Sequence, residues 1–261
     1  MSRIAHLSDL HLLETGYRSR GLGDRVRVGF LASYRPLGPE ARIERLRRTL
    51  EGVRRARPDH VLVTGDLTED GTVEQWELLA TLLHDSGLDP SIVTLLPGNH
   101  DAYGGAETFD EALHGPLAAF ADASRLGEPL ELRDVTLFPL STTIEQHYIR
   151  AAGDVPPDVL ARLDALASDD RTVLVAQHHP PVKHARPGLH WFQGLVSHRE
   201  MTRLLYDRPS VHVAHGHVHA DDERSVHPER APQVFSTRAV VQHDEAVRYY
   251  EADAAGVRPT R

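Results

Sequence analysis

Cysteine is absent from this chain of 261 residues, which excludes disulfides, thiolate metal sites and a cysteine nucleophile. A chain without cysteine fits the cytoplasm, the expected location. Long apolar runs are missing as well, and nothing approaches the ~18 consecutive apolar residues of a membrane-spanning helix. The first residues, Met1 to Asp9, hold too short an apolar run for a secretory signal. Lysine is nearly missing: Lys183 is the only one, and every other fixed cation is arginine, which reads as a compositional bias. Positive charge is also in deficit. The 29 basic and 38 acidic residues leave a net charge of −9, which argues against a protein that coats nucleic acid or an anionic membrane. The deficit is uneven: residues 1–60 hold 13 Arg and 7 acidic residues, a net of +6, leaving −15 for the rest.

What the chain has in excess is histidine. Its 18 histidines outnumber what core packing or a solvated surface calls for, and imidazole is the commonest metal ligand among side chains. Short apolar runs alternate with amphipathic segments, the pattern of an α/β protein, and no repeat, linker or composition break divides residues 1–261 into domains. Strands are expected at Ile4–Ser8, Val61–Thr64, Ile92–Leu96, Val173–Ala176 and Val211–Ala214. A hairpin is expected over Leu130–Leu140, and two or three antiparallel strands between Glu223 and Glu251. Residues 41–57 read as a helix because Ile43, Leu46, Leu50 and Val53 share one face before Pro58. Further helices are expected at Val73–Asp85, Glu107–Ala123, Pro156–Ala167 and Ser197–Tyr206. Residues 14–39, with five Gly, two Pro and little periodicity, read as a long loop serving as a lid or substrate loop.

Polar clusters follow five of the expected strands: Asp9-Leu10-His11, Gly65-Asp66, Gly98-Asn99-His100-Asp101, His178-His179-Pro180-Pro181 and Gly216-His217-Val218-His219. An extended backbone places alternate residues on one side, so Asp9-x-His11 and His217-x-His219 each offer two ligands to one ion. Glycine before Asp66, Asn99 and His217 allows close backbone approach. Each cluster alone has an ordinary explanation, such as a capping aspartate or a Gly-Asp turn. Together they place polar groups at the carboxyl ends of successive strands, where open α/β folds bind ligands. That set reads as a metal site.

In this order the blocks resemble the calcineurin-like metallophosphoesterase superfamily, with its D-x-H, G-D-x-x-[ED], G-N-H-[DE], lone His and G-H-x-H motifs spread over residues 9–219. The wording TGDLTEDG at 64–71, LPGNHD at 96–101 and QHHPP at 177–181 is most similar to the bacterial branch of class III cyclic nucleotide phosphodiesterases and glycerophosphodiesterases. The resemblance implies a four-layer αββα sandwich of two mixed sheets flanked by helices, with a dinuclear metal centre at one end. It implies that Asp9, His11 and His219 hold one metal, that Asn99, His178 and His217 hold the other, and that Asp66 bridges them. It favours His178 over His179, which, pointing the opposite way along the strand, supports the site from behind. Glu69 is expected to be structural.

Carboxylate, imidazole and amide without sulfur suit two divalent or mixed-valence ions, with Mn, Fe or Zn foremost and Co, Ni or Mg also compatible. The expected enzyme is a metal-dependent phosphoric ester hydrolase in which a metal-bridging hydroxide attacks the phosphorus of a small phosphodiester in line. His100, beside Asn99, is expected to stabilise transition-state charge or protonate the leaving oxygen, with Asp101 orienting its ring. Arg18, Arg20, Arg25 and Arg27 are candidates for binding a phosphate or carboxylate of the substrate, with a solvated basic loop as the other reading. His184, His190, Trp191 and His198 are candidates for the far rim, and Trp191 beside Phe192 fits core packing better than base stacking. The alternative enzyme is a phosphomonoesterase or nucleotide pyrophosphatase, including the lipid A precursor hydrolase type. The alternative outside enzymes is a metal-binding scaffold. A long nucleic acid is not an expected partner, and the oligomeric state does not follow from the sequence.

Overall fold

The computed structural model describes residues 1–35, 38–103, 108–169, 171–183 and 186–260. Two sheets lie back to back. In the first, β1 (Ser2–Leu7), β2 (His60–Thr64) and β3 (Val93–Leu96) run parallel, and β10 (Arg248–Asp253) and β11 (Gly256–Thr260) extend it antiparallel beyond β1. In the second, β5 (Thr136–Pro139), β6 (Val173–Gln177), β7 (Val211–His215) and β9 (Val234–Ser236) run parallel. The short strands β4 (Leu130–Glu131) and β8 (Asp222–Arg224) are its antiparallel edges.

Both faces of each sheet are covered, which is why the central strands are apolar throughout rather than alternating. Along β2, Leu62 faces the second sheet in a core with Ile4, Leu96, Leu174, Ala176 and Tyr250. Its neighbours Val61 and Val63 face the other way, into a core with Leu46 and Leu50 of α2 (Pro39–Ala56) and Leu79 and Leu83 of α3 (Val73–Asp85). Behind the second sheet, Val173, Val175, Val211 and Val213 pack on Leu163 of α5 (Pro157–Leu166) and on Met201 and Leu205 of α7 (His198–Asp207). The result is helix, sheet, sheet and helix in four layers.

Four segments depart from the sequence reading. Residues 14–39 are not a long loop: they carry a 3₁₀ turn at Thr15–Ser19, α1 (Leu22–Leu31) and a second 3₁₀ turn at Ala32–Tyr34. The α1 helix escaped notice because only Val28 and Leu31 are buried, while Leu22, Val26 and Phe30 form an outward stripe. The helix expected over Glu107–Ala123 ends early, as α4 (Thr108–His114), because Gly115-Pro116 stops it. Two 3₁₀ turns, Ala118–Phe120 and Asp122–Ser124, follow, and Glu107 lies outside the described residues. In the tail, β8 and β9 pair antiparallel as expected, but β9 also joins β7 in parallel and β10 goes to the first sheet beside β1. An unexpected helix, α6 (Pro187–Gln193), precedes α7. No helix among the described residues is long and apolar enough to cross a membrane.

Candidate metal centre

The carboxyl ends of β1, β2, β3, β6 and β7 meet at one rim. There, residues 9–12 zip against residues 65–69: Asp9 N–H donates to Gly65 O (3.0 Å), His11 N–H to Asp66 O (2.9 Å) and Leu12 N–H to Leu67 O (3.1 Å). Aiming the side chains inward requires an unusual backbone. Asp9, His11, Asp66, His217 and His219 all adopt positive φ, from 44° to 69°, a region that costs a non-glycine residue on the order of 1–3 kcal/mol. Gly65, at φ 87°, also has positive φ, and a Cβ there would come 2.5 Å from Nδ1 of His178. At Gly98 a Cβ would collide with the backbone nitrogen and carboxylate of Asp66.

The seven side chains converge. His219 Nε2 lies 3.2 Å from Asp9 Oδ1, and His11 Nε2 lies 4.0 Å from the same oxygen. Asp66 Oδ2 sits between the two halves, 3.5 Å from His11 Nε2 and 3.4 Å from His178 Nε2. His178 Nε2 is 3.2 Å from Asn99 Oδ1 and 3.3 Å from His217 Nδ1. Asp9, His11 and His219 form one group able to hold an ion; Asp66, His178 and His217 form another. His11, Asp66 and His100 form a third such group, so distance alone does not separate His100 from the others.

The electrostatics match a site built for cations. Burial works against ionised Asp66, yet His178 and His100 hold its carboxyl well below the usual range. Burial likewise works against charged His178, but Asp66, with Asp9 behind it, carries it up to about 9. His219 is raised over the same opposition by Asp9. His11 is pushed well below 6.5 by burial, Arg35 and His100. Its ring is fully buried and neither nitrogen makes a hydrogen bond, and Nε2 of His217 is also buried without a partner. Buried imidazole nitrogens are normally satisfied, so the orphaned Nε2 of His11, between the carboxylates of Asp9 and Asp66, fits a bound metal ion.

A family model of calcineurin-like phosphoesterases matches residues 2–221. The chain belongs to the calcineurin-like phosphoesterase family. Among the relatives of this chain, a probable cyclic nucleotide phosphodiesterase of Rhodococcus erythropolis is 29% identical over 223 residues. That match covers 83% of the present chain and only 64% of the Rhodococcus protein. A 3',5'-cyclic-nucleotide phosphodiesterase of Nostoc is 28% identical over 86% of this chain and 74% of its own. Among solved structures, a dimetal phosphatase of Danio rerio superposes with a TM-score of 0.69 at 15% identity, covering 95% of this chain and 92% of its own. That likeness bears on the fold, the metallophosphoesterase sandwich.

Around the candidate ligands, the structure places some residues as expected and others differently. His100 N–H donates to Asp66 Oδ1 (2.9 Å), and its ring Nδ1 pairs with Glu69 O (2.8 Å), leaving Nε2 available to the site. Asp101 does not orient that ring. The 3₁₀ turn at His100–Ala102 carries Asp101 beneath the loops. There it accepts N–H groups of Leu67 (2.9 Å), Thr68 (2.8 Å) and Gly98 (2.8 Å) and the Thr68 hydroxyl (2.7 Å). Asp101 thus pins the Asp66 loop to the Asn99 loop. His179 is buried behind the site, its ring bonded to Thr142 Oγ1 (2.7 Å) and Ala151 O (3.1 Å).

Of the four arginines, two are committed to the protein. Arg20 Nη1 and Arg27 Nη2 both reach Asp70 Oδ2, at 2.8 and 2.9 Å, and Arg20 also bonds Glu14. Arg18 and Arg25 are exposed. His190 Nε2 pairs with His198 Nδ1 (2.9 Å), and His184 lies outside the described residues. Trp191 and Phe192 are exposed, not core, because the short α6 lies on the surface. Sequence reading missed Tyr103, whose hydroxyl accepts from Asn99 Nδ2 (2.9 Å) and turns the amide oxygen toward His178. It also missed Arg35 and Arg42, both ion-paired with buried Glu69; Arg42 further donates to His11 O (2.8 Å). One Arg among the six of α2, and another in the segment before it, carry no signal in the sequence that would have revealed this.

Proposed function

We propose that the chain hydrolyses small phosphodiesters at a centre of two metal ions. Asp9, His11 and His219 hold one ion, Asn99, His178 and His217 the other, and Asp66 is shared. The observation that carries this reading is the convergence of seven candidate donors from five strand ends, with both ring nitrogens of His11 buried and without a hydrogen-bond partner. Ions bound there supply Lewis acidity and a water of lowered pKa, with Mn, Fe and Zn the identities this donor set favours. The chain's own part is positioning and proton handling. The His100 backbone N–H fixes one oxygen of Asp66, which leaves the other for the shared position. Tyr103 holds the amide of Asn99 so that it presents oxygen rather than nitrogen. His100 is anchored through Nδ1 to a carbonyl, so any proton it exchanges with the leaving oxygen passes through Nε2. The names of the Rhodococcus and Nostoc relatives support a diester as substrate.

The test uses metal-stripped protein, with Mn²⁺ added back, on bis(p-nitrophenyl) phosphate and p-nitrophenyl phosphate. Metal-dependent turnover favouring the diester, and lost in Asp66→Ala, is the expected result. A preference for the monoester assigns the protein to the phosphomonoesterases. No turnover of either ester with two metals bound, measured by elemental analysis, leaves a metal-binding scaffold.

A further inference from the structure

Several of the large exposed apolar side chains on this molecule lie in one run. On α1, Leu22, Val26 and Phe30 recur every fourth residue and are 74%, 65% and 53% exposed. The stripe continues onto the other half of the fold. The rings of Phe30 and Tyr148 lie 5.9 Å apart, Ile149 follows, half-exposed, and the Arg150 guanidinium covers Trp191 at 5.1 Å. Trp191 itself is 64% exposed. Isolated apolar residues on a surface need no explanation, but a contiguous run that includes tryptophan marks an interaction site.

This face borders the metal centre on both sides. Arg20 and Arg27 tie the α1 segment to Asp70, four residues past Asp66. On the other side Ala151, next to Arg150, bonds His179 through its carbonyl and Phe192 O through its N–H (2.9 Å).

Charge indicates what covers it. Arg25, three residues after Leu22, flanks the stripe, and Arg18 stands exposed in the turn that leads into α1. Among the described residues neither forms an ion pair, whereas the nearby acids Glu14 and Asp24 are paired with Arg20 and Arg27. An amphipathic helix with an outward apolar row, flanking arginines and an adjacent exposed tryptophan has the chemistry of an interfacial anchor. We infer that this face seats on an anionic lipid surface, with Leu22, Val26, Phe30 and Trp191 in the headgroup boundary and Arg18 and Arg25 on lipid phosphates. The net charge of −9 does not oppose this, because charges more than a Debye length (~10 Å at 0.1 M salt) from the bilayer are screened, whereas those at contact are not. A second copy of the chain suits the face less well, since a two-fold contact sets the same uncompensated cations on both sides.

The test is binding to phosphatidylcholine vesicles with and without phosphatidylglycerol, followed by co-sedimentation and tryptophan emission. Trp76, the other tryptophan, is buried, so a blue shift reports Trp191. Sedimentation and a blue shift with the anionic vesicles alone are expected, both lost as salt rises from about 0.1 M to about 1 M. Arg18→Ser with Arg25→Ser is expected to weaken binding roughly tenfold or more. Val26→Asp with Phe30→Asp is expected to abolish binding while leaving Tm and turnover of the water-soluble diester unchanged, and Trp191→Ala is expected to weaken it. Absence of binding to anionic vesicles, equal binding to both vesicle types, or variants that bind like the parent would overturn the proposal. A concentration-dependent dimer in sedimentation velocity that Val26→Asp with Phe30→Asp dissolves would also overturn it and assign the face to a second copy. None of these readouts depends on catalysis, so they stand apart from the outcome of the phosphodiester assay.

Discussion

At the scale of single residues, the division of labour follows from which atoms are already engaged. His100 is grouped by distance with Asp66 and His11; its backbone N–H and Nδ1 are committed, which leaves Nε2 as the atom that would handle a proton under the proposed function. His100→Ala is therefore expected to lose about 10²–10⁴-fold in kcat, the range for a positioned proton donor, while elemental analysis still finds two metals per chain. Loss of a metal in that variant would make His100 a ligand. Histidines far from the centre do different work. His60 is buried against Thr94 Oγ1 (2.8 Å), and burial lowers it to about 4 from the 6.5 expected of an unfolded chain. Between those values the unfolded chain takes up a proton that the folded chain refuses. The contribution of His60 is thus complete above pH 6.5 and is lost as pH falls toward 4. Urea unfolding of metal-free protein is expected to show His60 costing about 2 kcal/mol between pH 7 and pH 5, from ~1.4 kcal/mol per pH unit. The His60→Gln variant should show a correspondingly shallower decline. An equal slope in the variant would mean that His60 does not titrate on unfolding.

At the scale of elements, short polar ties hold the strand-end loops in a strained shape. The carboxylate of Asp101 gathers donors from two loops, and Glu69 is fully buried between Arg35 and Arg42. Because Arg42 also holds His11 O, α2 and the 3₁₀ turn before it are coupled to the metal ligands. Removing one partner strands two buried guanidinium groups, so Glu69→Ala is expected to cost about 3–5 kcal/mol in urea unfolding. A loss of under about 1 kcal/mol would show that the arginines find water instead. Most strands and helices were legible from apolar runs and periodicity, and the candidate ligand motifs from their position after strands. The α1 helix was not, since its regular apolar row faces outward and only two residues are buried. Nor were the partners of Asp70, Glu69 and Asp101, because residues such as Arg42 and Glu69, 27 positions apart, have no local pattern that pairs them.

At the scale of the whole molecule, the candidate centre joins the two sheets. Asp9, Asp66 and Asn99 come from the first sheet, and His178, His217 and His219 from the second. Ions bound between them would cross-link the sandwich and favour the folded state by mass action, by about 4 kcal/mol at a thousandfold excess over Kd. Chelation is expected to lower Tm by several degrees, with Mn²⁺ restoring it, and Asp66→Ala should respond to neither; an unchanged Tm in the parent protein would deny the ions that bridging role. Net charge, a whole-molecule quantity, argued against an anionic surface as a partner, yet it averages over a basic N-terminal region and an acidic remainder. By itself the sequence determined the layered α/β class and pointed to a candidate ligand set, because short apolar runs alternating with amphipathic segments, and glycine with polar residues at strand ends, are local constraints that leave a periodic or motif-level trace. Only the tertiary structure decided that Asp101 braces loops instead of a ring, that Arg20 and Arg27 serve Asp70, and that the apolar row of α1 meets Tyr148 and, beyond it, Trp191. Those outcomes depend on which distant segments are brought within a few ångströms, and residue spacing along the chain carries no record of that.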